Sequence, residues 1–120
     1  MVQDTRRSKM SNTELDQLEI TRQDAEEAIE LRDALVQLKK NKHYKRIFEK
    51  ELFQDFAAQC VLMKGSPAAQ NENTQKHIDR DIAMLGALHS RLNSIIQLGN
   101  TAEYTLAGVK DEVERLMTEE

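Results

Sequence analysis

Apolar residues recur every three or four positions through the last third of the chain, and one heptad register holds from Ile78 to Leu116. One seam position carries Ile78, Leu85, Leu92, Gly99, Leu106 and Val113. The other carries Asp81, Leu88, Ile95, Ala102, Val109 and Leu116. Such spacing draws a stripe along one face of a helix. Leu106, Val109, Val113 and Leu116 continue the phase set by Leu85, Leu88, Leu92 and Ile95, and two separate helices have no reason to share a phase. The economical expectation is one helix over about 74–118, roughly 65 Å long at 1.5 Å per residue. Gly99 is then an internal weak point costing about 1 kcal/mol relative to Ala, or a place where another helix comes close. The alternative is a helix stop at Gly99, with Asn100 and Glu103 capping a new helix. A stripe this long needs a partner along its length.

Earlier in the chain the pattern predicts two more helices. Ser11 and Glu14 fit a capping box, so the first helix is expected over about 12–40, after a flexible basic arm at 1–11 that holds Arg6, Arg7 and Lys9. Leu15, Leu18, Ala25 and Ile29 form one stripe; Ala28, Leu31, Leu35 and Leu38 form a second, shifted by one residue. Such a shift is a stutter-like change of the buried face. Asn41 to His43 is the expected joint. A second helix over 43–63 follows, with Tyr44, Phe48, Leu52, Phe56 and Cys60 recurring every four residues. All three phenylalanines lie there, which places the densest core in this helix. Gly65-Ser66-Pro67 opens the loop 64–73, where Pro67 can start a short helical turn. The expected fold is all-α: an elongated helical hairpin or small bundle forming a single domain over 12–120, with the C-terminal helix as its spine.

Composition agrees with this pattern. Charged residues make up 32% of the 120 and aromatics 4%, with four glycines, one proline and no tryptophan, which leaves little material for the turns of a β-rich fold. The apolar fraction of 39% is lean for a globular core, so part of the buried surface is expected to come from another chain. A formal charge of −4 argues against a generic nucleic-acid coat. Cys60 is the one cysteine and lies in an apolar run, so it reads as an inert thiol. The polar start is not a secretory signal and no apolar run is long enough to span a membrane, so the expected location is the cytoplasm or an assembly formed there.

Candidate chemistry is sparse. Lys39, Lys40, Lys42, Lys45 and Arg46 place five cations in eight residues at the joint of the first two helices. This basic corner reads as a solvated helix end, an acidic-partner contact or a phosphate contact. His43, His77 and His89 are scattered, and the four-residue spacing of His77 and Asp81 supplies two ligands where a metal site needs three or four. Asp81 sits at a seam position, either because the seam starts only near Leu85 or because a buried charge fixes the register. No phosphate loop, nucleophile elbow or Cys-His arrangement occurs. The reading is therefore no enzyme, no metal, no cofactor, no small-molecule substrate and no membrane.

Two stretches carry a resemblance. Leu35 to Lys45 followed by Ile47-Phe48-Glu49-Lys50-Glu51-Leu52-Phe53 is one; Ile82 to Leu88 together with Ile95 to Glu103 is the other. They resemble a family of small helical proteins encoded by tailed bacteriophages, over roughly 31–106. The resemblance implies a minor virion or assembly component, located in the virion or the host cytoplasm, and carries over no active-site residue. The expected function is a non-enzymatic structural or assembly protein. It would present helix seams to itself, as a homo-oligomer, or to a capsid, portal or tail protein. Leu106, Val109, Val113 and Leu116 are the expected interface. The alternative is a small regulator or inhibitor of a host enzyme or nucleic-acid machine, using the basic corner or the acidic tail of Glu112, Glu114, Glu119 and Glu120.

Overall fold

The computed structural model describes the backbone of residues 2–119 and the side chains of residues 13–119. The chain is all-α, and every regular element among the described residues is a helix. These are α1 (Val2–Lys39), α2 (42–64), a 3₁₀ turn (Pro67–Ala69) and α3 (Glu72–Thr118). They divide into two compact units: unit 1 is Met1–Asp33 with Ile95–Glu120, and unit 2 is Ala34–Ser94.

Helix α1 begins at Val2, well before the start expected near Asn12. No glycine or proline precedes Gly65, so the backbone has nothing to stop a helix at Ser11. The side chains of the expected arm, and the capping box at Ser11, lie outside the described residues. Helix α3 runs unbroken through Gly99-Asn100, which decides between the two expectations for that point.

In unit 1 the two helix segments pair antiparallel. Arg32 meets Asn100 and Glu103, and toward the other end Leu18 lines a groove with Leu116. The seam buries Ala25 against a row that includes Gly99, Ala102, Val109 and Leu116. Gly99 marks a close approach. A Cβ placed there would lie 2.3 Å from Cβ and 2.6 Å from Cδ of Arg32. The aliphatic stem of Arg32 therefore takes the space a side chain at 99 would fill. Its side chain is only 12% exposed. The guanidinium donates to Asn100 Oδ1 at 3.0 Å, to Glu103 Oε1 at 2.5 Å and to Asp33 Oδ1 at 3.0 Å. These bonds, with Glu103 first, push its pKa further up.

The second expected stripe of α1 is corrected. Leu35 is buried and Ala28 half-buried, but Leu31 and Leu38 are 51% and 52% exposed. Beside Leu35, one row of inward positions recurs every seven residues at Leu18, Ala25, Arg32 and Lys39. Long basic side chains sit on the stripe where apolar letters were sought, because their methylene stems cover apolar surface while the charge reaches solvent.

In unit 2, α2 opens on Asn41, whose side chain accepts from the backbone N–H of His43 at 2.8 Å and of Tyr44 at 3.4 Å. The expected joint residue is thus the N-cap of α2. Between Lys45 and Phe56 the helix winds as a π-helix. The apolar spacing gives a reason. Residues four apart on an α-helix advance about 40° around the axis, so the steps from Tyr44 to Cys60 would carry the stripe about 160° off its face. A helix closed by i→i+5 bonds turns less per residue and brings it back. Tyr44 and Cys60 are buried, with Phe48, Leu52 and Phe56 half-buried between them. The Tyr44 and Phe48 rings stack at 4.8 Å.

Cys60, Ala69, Ile78 and Leu85 form the core of unit 2, with Leu52, Phe53, Phe56 and Ala57 against it. Ile78 is buried N-terminal to Asp81, so the seam does not begin near Leu85; it runs past a half-buried carboxylate. The loop is closed by two glutamine amides. Gln70 Nε2 donates to the carbonyls of Lys64 and Ser66, and Gln75 Nε2 to those of Lys64 and Ala69. Asn71 Oδ1 accepts from the Thr74 N–H at 2.8 Å and caps α3, which starts at Glu72, two residues before the start expected near 74.

Candidate protein interface

Unit 2 carries an open apolar groove. Phe53, Ala57 and Val61 of α2 form one wall; Ile82, Leu85, Gly86 and His89 of α3 form the other, around about 350 Å³. The walls follow from the pairing of α2 and α3. Leu85 points into the core, while Ile82, Gly86 and His89 lie on the flank beside it. Gly86 has no side chain, and a Cβ there would meet nothing within 4 Å, so the wall is low at its middle. The His89 ring meets the Phe53 ring edge-on at 5.1 Å, and the Asn93 amide lies 3.4 Å from His89 Nδ1. The same stretches of α2 and α3 expose Leu62, Met63 and Met84, with Leu62 76% exposed. An open groove with apolar walls is the kind of surface that marks a binding site.

The four residues expected to meet a partner are placed differently. Val109 is 5% exposed, Leu116 is buried, and Leu106 and Val113 are half-buried. They are covered within unit 1 by α1: Leu18 lines a groove with Leu116, and Glu19 and Arg22 flank Val109 and Val113. Val109 and Val113 also floor a groove of about 640 Å³, but its rim is Glu19, Arg22, Lys110 and Glu114, with Met117 and Thr118 at one end. A charged rim over a seam already used by the fold is a weaker docking surface than the groove of unit 2.

The basic corner is solvated. Lys40, Lys42, Lys45 and Arg46 are exposed and Lys39 half-buried; none of the five makes an ion pair among the described residues. Tyr44, the aromatic residue among them, is buried, and that burial raises its pKa. Cys60 is buried too. Burial first, and the charge of Asp81 second, push its thiol up, which keeps it protonated and unreactive at neutral pH. Among the described residues no three His, Cys, Asp or Glu side chains converge on a point that could hold a metal ion, and His77 and Asp81 belong to no such group. No described helix is long and apolar enough to cross a membrane.

No protein-family model, curated protein or solved structure matches this chain. The interface is therefore argued from its own geometry. The signal for it was present in the sequence as Phe53, Ala57 and Val61 on one helix and Ile82, Gly86 and His89 on another. What assigns these residues to one groove is the pairing of α2 with α3, which the periodicity of either helix alone does not give.

Proposed function

We propose that this chain is a non-enzymatic structural or assembly protein whose unit 2 takes an amphipathic helix of a partner protein in the groove between α2 and α3. The observation that carries this reading is the groove itself, apolar on both walls and low at Gly86. An amphipathic helix laid in such a groove buries residues at i, i+3, i+4 and i+7. The resemblance to small helical proteins of tailed bacteriophages supports a capsid, portal or tail protein as the partner, in the virion or the host cytoplasm.

The test is site-specific photo-crosslinking in the producing cell, from a probe at Ile82 and from a control probe at exposed Asp24. The expected result is a discrete protein adduct from position 82, absent from position 24 and lost when Val61→Glu is added. No adduct from position 82, or equal adducts from both positions, would refute the reading.

A further inference from the structure

Formal charge is divided unevenly between the two units. Unit 1 holds fifteen Asp and Glu against seven Lys and Arg; unit 2 holds ten Lys and Arg against six Asp and Glu. The net −4 of the chain is thus −8 on one unit and +4 on the other. In unit 1 the three described arginines are each shared by two carboxylates. Arg22 is shared by Glu19 and Glu26, Arg32 by Asp33 and Glu103, and Arg115 by Glu112 and Glu119. Exposed Glu14, Asp16, Asp24, Glu27, Asp111 and Glu114 make no ion pair among the described residues. In unit 2 the surplus is concentrated at the basic corner, where the five cations make no ion pair among the described residues. Lys42 is the first residue of α2, and no acidic residue stands in that first turn. Cations there oppose the positive end of the helix dipole. An anionic surface laid over the corner would offset that repulsion.

We propose that the basic corner of one copy, centred on Lys42, Lys45 and Arg46, docks on the acidic surface of unit 1 of a second copy. The contact is heterologous. Each copy keeps an unused corner or an unused acidic unit, so assembly grows with concentration into rings or open chains. A second copy fits better than a nucleic acid. The chain as a whole repels polyanions, and Tyr44, the one aromatic residue in the corner, is buried where no base could stack on it. The surface is made of different residues from the groove of unit 2, so the two proposals can fail separately.

Light scattering over a concentration series, at low and at high salt, tests this. Wild type is expected to gain mass with concentration at low salt and to return to monomer at high salt, since charge pairing of exposed groups is screened. A corner variant (Lys42→Glu, Lys45→Glu, Arg46→Glu) and a unit 1 variant (Glu14→Lys, Asp16→Lys, Glu114→Lys) should each weaken association at least about tenfold. Their helical content, read by circular dichroism, should be unchanged. An equimolar mixture of the two variants should associate again, because each restores the complement the other has lost. A wild type that stays monomeric at low salt overturns the proposal, as does a mixture that fails to associate. Tight binding of a short RNA at the corner of a monomeric wild type also overturns it, by assigning the patch to nucleic acid.

Discussion

In unit 1, α3 meets its neighbour through Gly99, Ala102 and Val109, and an arginine lies across the glycine. In unit 2 the same helix meets phenylalanines through Ile78 and Leu85, and leaves Ile82 and Gly86 on an open flank. Small residues let two backbones come close, so the side chains between them are covered on both sides and the seam is consumed by the fold. In unit 2 the aromatic Phe53 stands on one wall of a groove that remains open between α2 and α3. One heptad register therefore serves two ends. Where its residues are small it closes, and where they face aromatic rings it stays open to a partner.

The largest effect expected within this comparison is in the core of unit 2. Leu85→Ala removes the side chain packed with Cys60, Ala69 and Ile78 and should cost about 2–4 kcal/mol in chemical denaturation. A cost well under 1 kcal/mol would mean that the α2–α3 contact is loose and the groove is no fixed feature.

The glycines sharpen the contrast, because two of them on one helix should respond with opposite sign. Gly99→Ala gains about 1 kcal/mol of helix propensity. It also forces a methyl group onto Cβ of Arg32, which cannot swing away, and the net result should be a loss of about 1–2 kcal/mol. Gly108→Ala meets nothing within 4 Å and should stabilise by up to about 1 kcal/mol. Paired thermal melts decide. If both variants are more stable than wild type, α1 does not approach α3 at Gly99.

Arg32→Lys is a smaller change. An ammonium cannot reproduce the fork that reaches Asn100, Glu103 and Asp33 together, so a loss of about 1 kcal/mol is expected in unit 1. The smallest effect is that of pH. Hydrogen bonds from Arg22 to Glu19 and from Arg115 to Glu112 hold both carboxyls below the usual carboxylate range. A lowered folded pKa contributes stability that is present above the ordinary value and is lost as pH falls through the lowered one. Both side chains are open to solvent, at 49% and 41% exposed, so the loss should be slight and should vanish in high salt. A melting temperature that rises on acidification through that range would contradict these pairings.

Much of the fold was legible. The seam from Ile78 to Leu116 needed only its spacing, and the shared phase across Gly99-Asn100 rightly favoured one helix. The break at Gly65-Pro67 and the joint at Asn41 followed from residue chemistry. Three features escaped. Arg32 lies on the buried stripe through its methylene groups, which a hydrophobicity pattern does not count. The four-residue recurrence from Tyr44 to Cys60 was visible, but its consequence, a winding that differs from 3.6 residues per turn, was not drawn. The start of α1 was set at a capping box although no helix-breaking residue lay upstream of it. Leu106, Val109, Val113 and Leu116 were expected to lie beyond the reach of the other helices, but Glu14, Leu18, Glu19 and Arg22 of α1 line grooves with Val109, Val113 and Leu116.

The most direct test of the division between a closed seam and an open groove is one pair of thermal melts followed by circular dichroism. Val109→Glu places a charge in the seam of unit 1, and Ile82→Glu places one on the groove wall of unit 2. The account predicts that Val109→Glu lowers the melting temperature by at least about 10 °C, while Ile82→Glu moves it by no more than about 3 °C. The reverse order, with Val109→Glu tolerated and Ile82→Glu unfolding the chain, would contradict it.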